Sequence, residues 1–198
     1  MDAKAMRILF IDVETDGLPF RRDFFEPIEM PHIVQAAWIV ADGEGHILRS
    51  ASRIVKPVGF NIPASAVAVH GITTKKAREE GTDPQTILHV LNREIDRAGF
   101  IVAHNLGFDS NVIASESRRF GQVCTIHSKP GYCTMKNTKD LTKLGFPDNP
   151  YPTEWKWPKL EELYRHLFGH DFSGVHDAGA DVLACYECFW ELLRIKWI

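Results

Sequence analysis

Residues 8–19 read Ile-Leu-Phe-Ile-Asp-Val-Glu-Thr-Asp-Gly-Leu-Pro. An apolar run closes on Asp12 and Glu14, two carboxylates separated by one valine. Side chains alternate faces along a strand, so these two point to one side, about 7 Å apart at the usual strand rise. Such a pair repels unless a proton or a cation lies between them. The nearly continuous apolar character from Met6 to Val13 predicts a strand buried on both faces, in the middle of a sheet.

Working outward, a second strand is predicted over residues 32–41. A turn follows at residues 41–46, Ala-Asp-Gly-Glu-Gly-His, and a third strand over 47–55 completes a hairpin. Helices are predicted over 63–70, ended by Gly71, and over 73–80, capped by Thr73 or Thr74. A third starts at Asp83-Pro84, where the aspartate suits the N-cap and proline the first turn, with Ile87, Leu88, Leu91 and Ile95 at helical spacing. A short strand at 100–103, a helix at 108–119, a possible strand at 132–134 and helices at 158–168 and 178–193 complete the chain. This order suits a mixed five-stranded sheet flanked by helices, an α/β fold in one domain spanning residues 1–198. Sites in such sheets form beyond the carboxyl ends of the strands, which is where Asp12 and Glu14 stand.

The composition is that of a soluble globular protein: 44% hydrophobic and 25% charged residues across 198 positions. The formal net charge of −3 does not by itself predict a nucleic-acid partner. Local basic clusters exist at Arg21-Arg22, at Lys75-Lys76 with Arg78, at Arg118-Arg119 and from Lys129 to Lys143. Each alone reads as solvated surface; together they would guide a short strand past an acidic centre. Neither a cleavable leader nor a membrane span is evident, so the expected location is cytoplasmic. Four cysteines in a chain this long do not make a disulfide framework. Cys185 and Cys188 have a metal-like spacing, but within an amphipathic helix they read as packing.

Two further acidic positions stand out. Asp109 lies early in the helix that follows the 100–103 strand. His176 and Asp181 are five apart, a spacing that would diverge by about 140° on one helix. Asp177 reads as an N-cap, which puts His176 just before the helix and Asp181 in its first turn, where both lean over one point. Asp177 competes with Asp181 as a ligand; the cap reading favours Asp181. Four carboxylates, Asp12, Glu14, Asp109 and Asp181, thus come from separate elements. Oxygen ligands of this kind suit two divalent ions, Mg²⁺ or Mn²⁺, which hold the attacking and leaving oxygens of an in-line phosphoryl displacement. His176, left off the metals, is placed to take a proton from the attacking water, with a reference pKa of about 6.5.

With these residues in view, the chain resembles the DEDDh family of 3′–5′ exonucleases, which includes the proofreading epsilon subunit of bacterial DNA polymerase III, ribonuclease T and the TREX enzymes. Asp-Val-Glu-Thr-Asp-Gly (12–17), His-Asn-Leu-Gly-Phe-Asp (104–109) and His-Asp-Ala-Gly-Ala-Asp (176–181) match its three motifs in order. His-Gly-Ile-Thr (70–73) is similar to a segment of the proofreading branch. The resemblance implies an RNase H-like fold and removal of 3′-terminal nucleotides from DNA or RNA as 5′-monophosphates. It implies that Asp12, Glu14, Asp109 and Asp181 hold the metals and that His176 is the general base. It also implies that Thr15 touches the terminal nucleotide, that Phe108 packs near its sugar or base, and that Asn105 steadies the turn under Asp109.

His70 reads either as a helix C-terminal residue or as a substrate contact, the former slightly favoured, and His104 as ordering its turn. Trp157 is expected to cap the core, and Trp155 to be the better candidate for substrate. The expected partner is the single-stranded 3′ end of a nucleic acid; a protein partner or a homodimer is also open. The alternative to an active nuclease is an RNase H-like binding or assembly module with weak or secondary activity.

Overall fold

A computed structural model describes residues 5–20, 28–145 and 154–198. The loop residues Arg21, Arg22, Phe24 and Phe25, and Tyr151 of the segment before Trp155, lie outside the described residues. Five strands form one sheet: β1 (Arg7–Thr15), β2 (Ile33–Asp42), β3 (Ile47–Ile54), β4 (Phe100–Ala103) and β5 (Gly131–Cys133). Their order is β3-β2-β1-β4-β5, with β2 antiparallel to both of its neighbours, β3 and β1, and β1, β4 and β5 parallel. The expected mixed five-stranded sheet is what forms.

The helices are α1 (Ala64–His70), α2 (Thr74–Glu80), α3 (Pro84–Arg97), α4 (Leu106–Arg119), α5 (Thr134–Asn137), α6 (Lys139–Thr142), α7 (Leu160–Phe168) and α8 (Ala178–Arg194). The local signals explain several boundaries. Thr73 accepts from the Lys76 amide, and Asp83 from the Thr86 amide at 2.9 Å. Each satisfies an amide that the helix start leaves without a partner. Gly71 ends α1 at φ +71°, a left-handed conformation that costs glycine little. Helix α4 begins two residues earlier than predicted, because Asn105 takes the left-handed conformation (φ +75°) and starts the turn through its backbone.

Side-chain parity on β1 decides what each face meets. Leu9, Ile11 and Val13 pack in one core cluster with Ile87, Leu88, Leu91 and Ile95 of α3 and Val112 and Ile113 of α4. Ile8 and Phe10 pack in another with Leu160 and Leu163 of α7 and Val182, Cys185, Cys188 and Phe189 of α8. Asp12 and Glu14 continue the even series, so they emerge on the α8 face as the apolar stripe runs out. The β1–β2 register shifts between Glu14 and Thr15. An irregularity there turns the strand end away from regular pairing beside the acidic pair.

Cys133, Cys185 and Cys188 are buried and unpaired, in keeping with a packing role, and Cys124 is half-buried. Trp157 corrects its expectation: it is 55% exposed and does not cap the core. The Lys136 ammonium lies over its ring, 5.9 Å from the centroid. Pro158, the next residue, is the one that turns inward. Two of the basic positions are already tied to backbone carbonyls. Lys129 donates to the Asp96 and Ala98 carbonyls, and Arg119 donates to the buried Glu116 carboxylate and to the Pro31 and Met30 carbonyls.

Gly131 pairs with Ile101 where β5 joins the sheet. A Cβ there would lie 2.9 Å from the Ile101 carbonyl oxygen and 2.7 Å from Leu106 Cδ2. The side chain of Leu106 can move, but the ladder carbonyl cannot without loss of pairing. Gly131→Ala is therefore expected to destabilise the protein by about 1–3 kcal/mol, the usual range for overpacking, read as a lowered midpoint in urea unfolding.

Candidate active site

The end of β1, the start of α4 and the start of α8 bring the predicted acids together. Asp109, 2% exposed, sits in the first turn of α4 and accepts from the Val13 amide at 3.2 Å, which ties the helix to the strand between Asp12 and Glu14. Asp181, 8% exposed, sits in the first turn of α8. Asp177 is the N-cap, accepting from the Gly179 and Ala180 amides at 3.0 and 3.1 Å. His176 stands just before the helix at φ +68°, and its amide donates to Asp181 Oδ2 at 3.0 Å. The side chains of Glu14, His176 and Asp181 each offer one ligand atom within 4.8 Å of the others.

Crowding shows in the electrostatics. Burial, followed by the charges of Asp109, Asp181, Glu14 and Asp177, holds the Asp12 carboxyl well above the usual carboxylate range. Burial, then Asp181 and Asp109, pushes Glu14 up to about 8. Burial raises Asp109 as well, against the hydrogen bonds it accepts from its own amide and that of Val13. Asp181 rises to about 7 through burial, although the His176 amide pulls the other way. Asp181 Oδ1 is buried with no hydrogen-bond partner. Acidic oxygens that repel one another, one of them unsatisfied, fit a hard divalent cation better than any neutral ligand.

The neighbouring residues fall into two groups. Thr15, His70 and Phe108 line one cavity of about 580 Å³ together with Glu14, Gly17 and Leu18. The Thr15 hydroxyl donates to the Gly17 carbonyl at 2.7 Å, shaping the turn that forms the cavity's edge. His70 takes up the helix-terminal place and also borders the cavity. Its Nδ1 accepts from the Ile72 amide at 3.0 Å. Burial lowers its pKa, and its Nε2 is buried without a hydrogen-bond partner.

The second group holds the turn. His104 Nε2 meets the Pro158 carbonyl at 3.0 Å and Nδ1 meets Thr134 Oγ1 at 2.9 Å. Burial pushes its pKa down to about 4, so it is neutral, with Nε2 donating and Nδ1 accepting. Asn105 makes no side-chain cap, and the turn rests on its backbone.

One residue near the acids carries no motif signal. Gln35, 5% exposed, is the cross-strand partner of Glu14 in the β1–β2 register. Its amide nitrogen donates to Asp177 Oδ2 at 2.9 Å and to Ser52 Oγ at 3.1 Å, and its carbonyl accepts from the Ala178 amide at 3.2 Å. The available clue was a lone amide inside an apolar strand, which burial obliges to find partners.

Raised carboxylate pKa values mean that the folded, metal-free protein holds more protons than the unfolded chain between about pH 4 and 8. Stability is then highest below the unfolded pKa and falls as pH rises through the folded values. The thermal midpoint of protein held in EDTA is expected to drop from pH 5 to pH 8, and Mn²⁺ to restore it far more at pH 8. Asp181→Asn should raise the EDTA midpoint at pH 8 and shrink the Mn²⁺ effect. Scanning calorimetry across that range checks all three.

The sequence model of the RNase T family, described as exonuclease, matches residues 9–189. No curated protein sequence matches the chain. Among solved structures, Escherichia coli exonuclease I in complex with a dA16 oligonucleotide superposes with a TM-score of 0.73 at 22% identity, covering 96% of this chain and 41% of that one. The zinc-bound form of the E. coli exonuclease I–ssDNA complex gives 0.74 at 22%, covering 96% and 41%. A product-bound exonuclease I gives 0.74 at 20%, covering 97% and 45%. The chain thus spans about two-fifths of the length of these proteins, and at this identity the likeness establishes a common fold. The family match extends over nearly every residue from β1 through most of α8; this chain belongs to the RNase T exonuclease family and has the RNase H-like fold seen in exonuclease I.

Proposed function

We propose that the protein is a metal-dependent 3′–5′ exonuclease that removes 3′-terminal nucleotides from single-stranded ends of DNA or RNA as 5′-monophosphates. The observation that carries this reading is the meeting of Glu14, His176 and Asp181 within 4.8 Å, beside Asp12 and Asp109 at the end of one strand. Asp12, Glu14, Asp109 and Asp181 would hold two Mg²⁺ or Mn²⁺ ions. Bound there, the ions supply positive charge for the attacking and leaving oxygens of an in-line displacement.

The protein's own groups do the rest. His176 is exposed, which lets it meet water from solvent and take a proton at a ring nitrogen. Asp181 holds the His176 backbone and so orients the residue. The cavity bounded by Thr15, His70 and Phe108 adjoins Glu14 and suits the terminal nucleoside. Phe108 offers a ring to the base or sugar, and the neutral His70 has an Nε2–H to give. Asn105 keeps the start of α4, and with it Asp109, in place. The oligonucleotide complexes of E. coli exonuclease I support a single strand as ligand.

A 5′-labelled oligonucleotide incubated with the protein and Mg²⁺ or Mn²⁺ should shorten as a ladder, stop with EDTA, and slow with a 3′-phosphate. A panel of single- and double-stranded DNA and RNA sets the preference. Failure to produce a ladder on any member of that panel would end the nuclease reading; internal cuts would replace it with endonuclease action. His176→Ala should lower kcat by ~10²–10⁴-fold, the general-base range, with Mn²⁺ affinity little changed by calorimetry.

A further inference from the structure

We infer that Gln35 is a positioning residue for the acidic centre, a clamp that sets where α8 begins relative to Glu14. This rests on the nuclease reading of the site for its kinetic arm. All ten residues of β2 are buried, and Gln35 is the one uncharged polar side chain among them. Burying an amide in such a strand is unfavourable unless its donors and acceptor are matched, and here they all are. Two of the three bonds go to consecutive residues at the helix start, the Asp177 carboxylate and the Ala178 amide. The third goes to Ser52 on β3.

The position of the clamp gives it its consequence. Gln35 lies directly across from Glu14, while the residues it grips lie between His176 and Asp181. The three groups that meet within 4.8 Å are therefore linked through one side chain. Close fit on the β3 side limits the alternatives. A Cβ at Gly179 would stand 3.0 Å from Asp177 Oδ1 and 3.1 Å from both Ser52 Cβ and Ser52 Oγ. Helix α8 is thus pressed against β3 at its first turn and tied to β2 by Gln35. At its beginning only the small Ala178 enters the core, while its larger apolar side chains lie farther along, at Val182, Cys185, Cys188 and Phe189, and fix the helix axis less tightly at the first turn. Release of the clamp would let the first turn shift, and a displacement of about 1 Å in a preorganised centre costs ~10²-fold in rate.

The test uses the full chain with two readouts, Mn²⁺ affinity by calorimetry and kcat against KM on a 5′-labelled single strand. Gln35→Leu keeps the volume and removes the bonds. The expected result is a ~10–100-fold loss shared by kcat and Mn²⁺ affinity, the range for outer partners of a metal site, with KM nearly unchanged. A folded Gln35→Leu protein with wild-type kcat and wild-type Mn²⁺ affinity would overturn the inference, since an amide that serves only stability moves the melting midpoint alone.

Should Gln35→Leu fail to fold, an exchange of the amide and the carboxylate decides. Gln35→Glu sets a carboxylate against Asp177 and should lose both properties. Adding Asp177→Asn lets the new amide donate to the new carboxylate, keeps a competent N-cap, and should recover most of the loss. A double variant no better than Gln35→Glu would also overturn the clamp. Wild-type protein that binds Mn²⁺ but trims no strand would sink the nuclease reading alone, leaving the metal-affinity arm to judge Gln35.

Discussion

Mutual repulsion among Asp12, Glu14, Asp109 and Asp181 is the constraint around which the rest of the molecule is arranged. Each of these carboxyls is driven above its ordinary range, mainly by burial, and for Asp12 and Glu14 also by the others in the set. Nothing in the local sequence relieves this. Asp177 adds a further negative charge, and among the described residues that bound the site no lysine or arginine is paired with any of the four. The crowding of these charges works against the fold at neutral pH, and a divalent cation held there, as proposed, would relieve it. Such a cluster persists only where surrounding structure over-determines it.

That surrounding structure is recognisable. The even-numbered face of β1 presents Asp12 and Glu14 toward α8, and the odd-numbered face brings α4 against the same strand from the other side. Asp109 comes over the strand end and is held by the Val13 amide. The turn before α4 is fixed by His104, whose neutral ring spans Thr134 and Pro158. At the far side of the strand end, Asp16 accepts from the His32 amide at 2.7 Å, and His32 stacks on Phe60 and meets the buried Glu116. Glu116 is itself paired with Arg119, so its charge is compensated where those of the site are not. Stable charge pairs thus frame a centre whose own charges have no protein counterpart.

How much of this could be read beforehand differs by kind of signal. The strands and most helices were legible because apolar runs, caps and glycine stops are local: Asp83-Pro84, Thr73, Gly71 and Asp177 each act within a turn of themselves. The acidic positions were legible because a buried strand that ends in two like charges is anomalous by itself. Helices α5 and α6, four residues each, were not, since four residues establish no period. Gln35 carries no local signal of its role, because two of its three partners lie 142 and 143 positions away and only the fold brings them together. The expectation that Trp157 caps the core rests on its place just before a helix start at Pro158, but the chain turns inward at Pro158 itself and leaves the indole outside. Lys129 and Arg119 counted as surface charge until their carbonyl partners appeared.

Exposure divides the site in a way that bears on the proposed reaction. Asp109 and Asp181 are buried and Asp12 and Glu14 half-buried, whereas His176 is exposed and carries a left-handed backbone. Oxygen ligands gain from a dry setting because their attraction for a cation strengthens as water is excluded. A proton acceptor has the opposite requirement, since it must exchange its proton with solvent between turnovers. In the proposed reaction both needs would be met within six residues, because helix α8 starts between them: Asp181 lies inside the first turn and His176 outside it. The boundary between wet and dry is the N-terminus of that helix, and Asp177 and Gln35 hold it there.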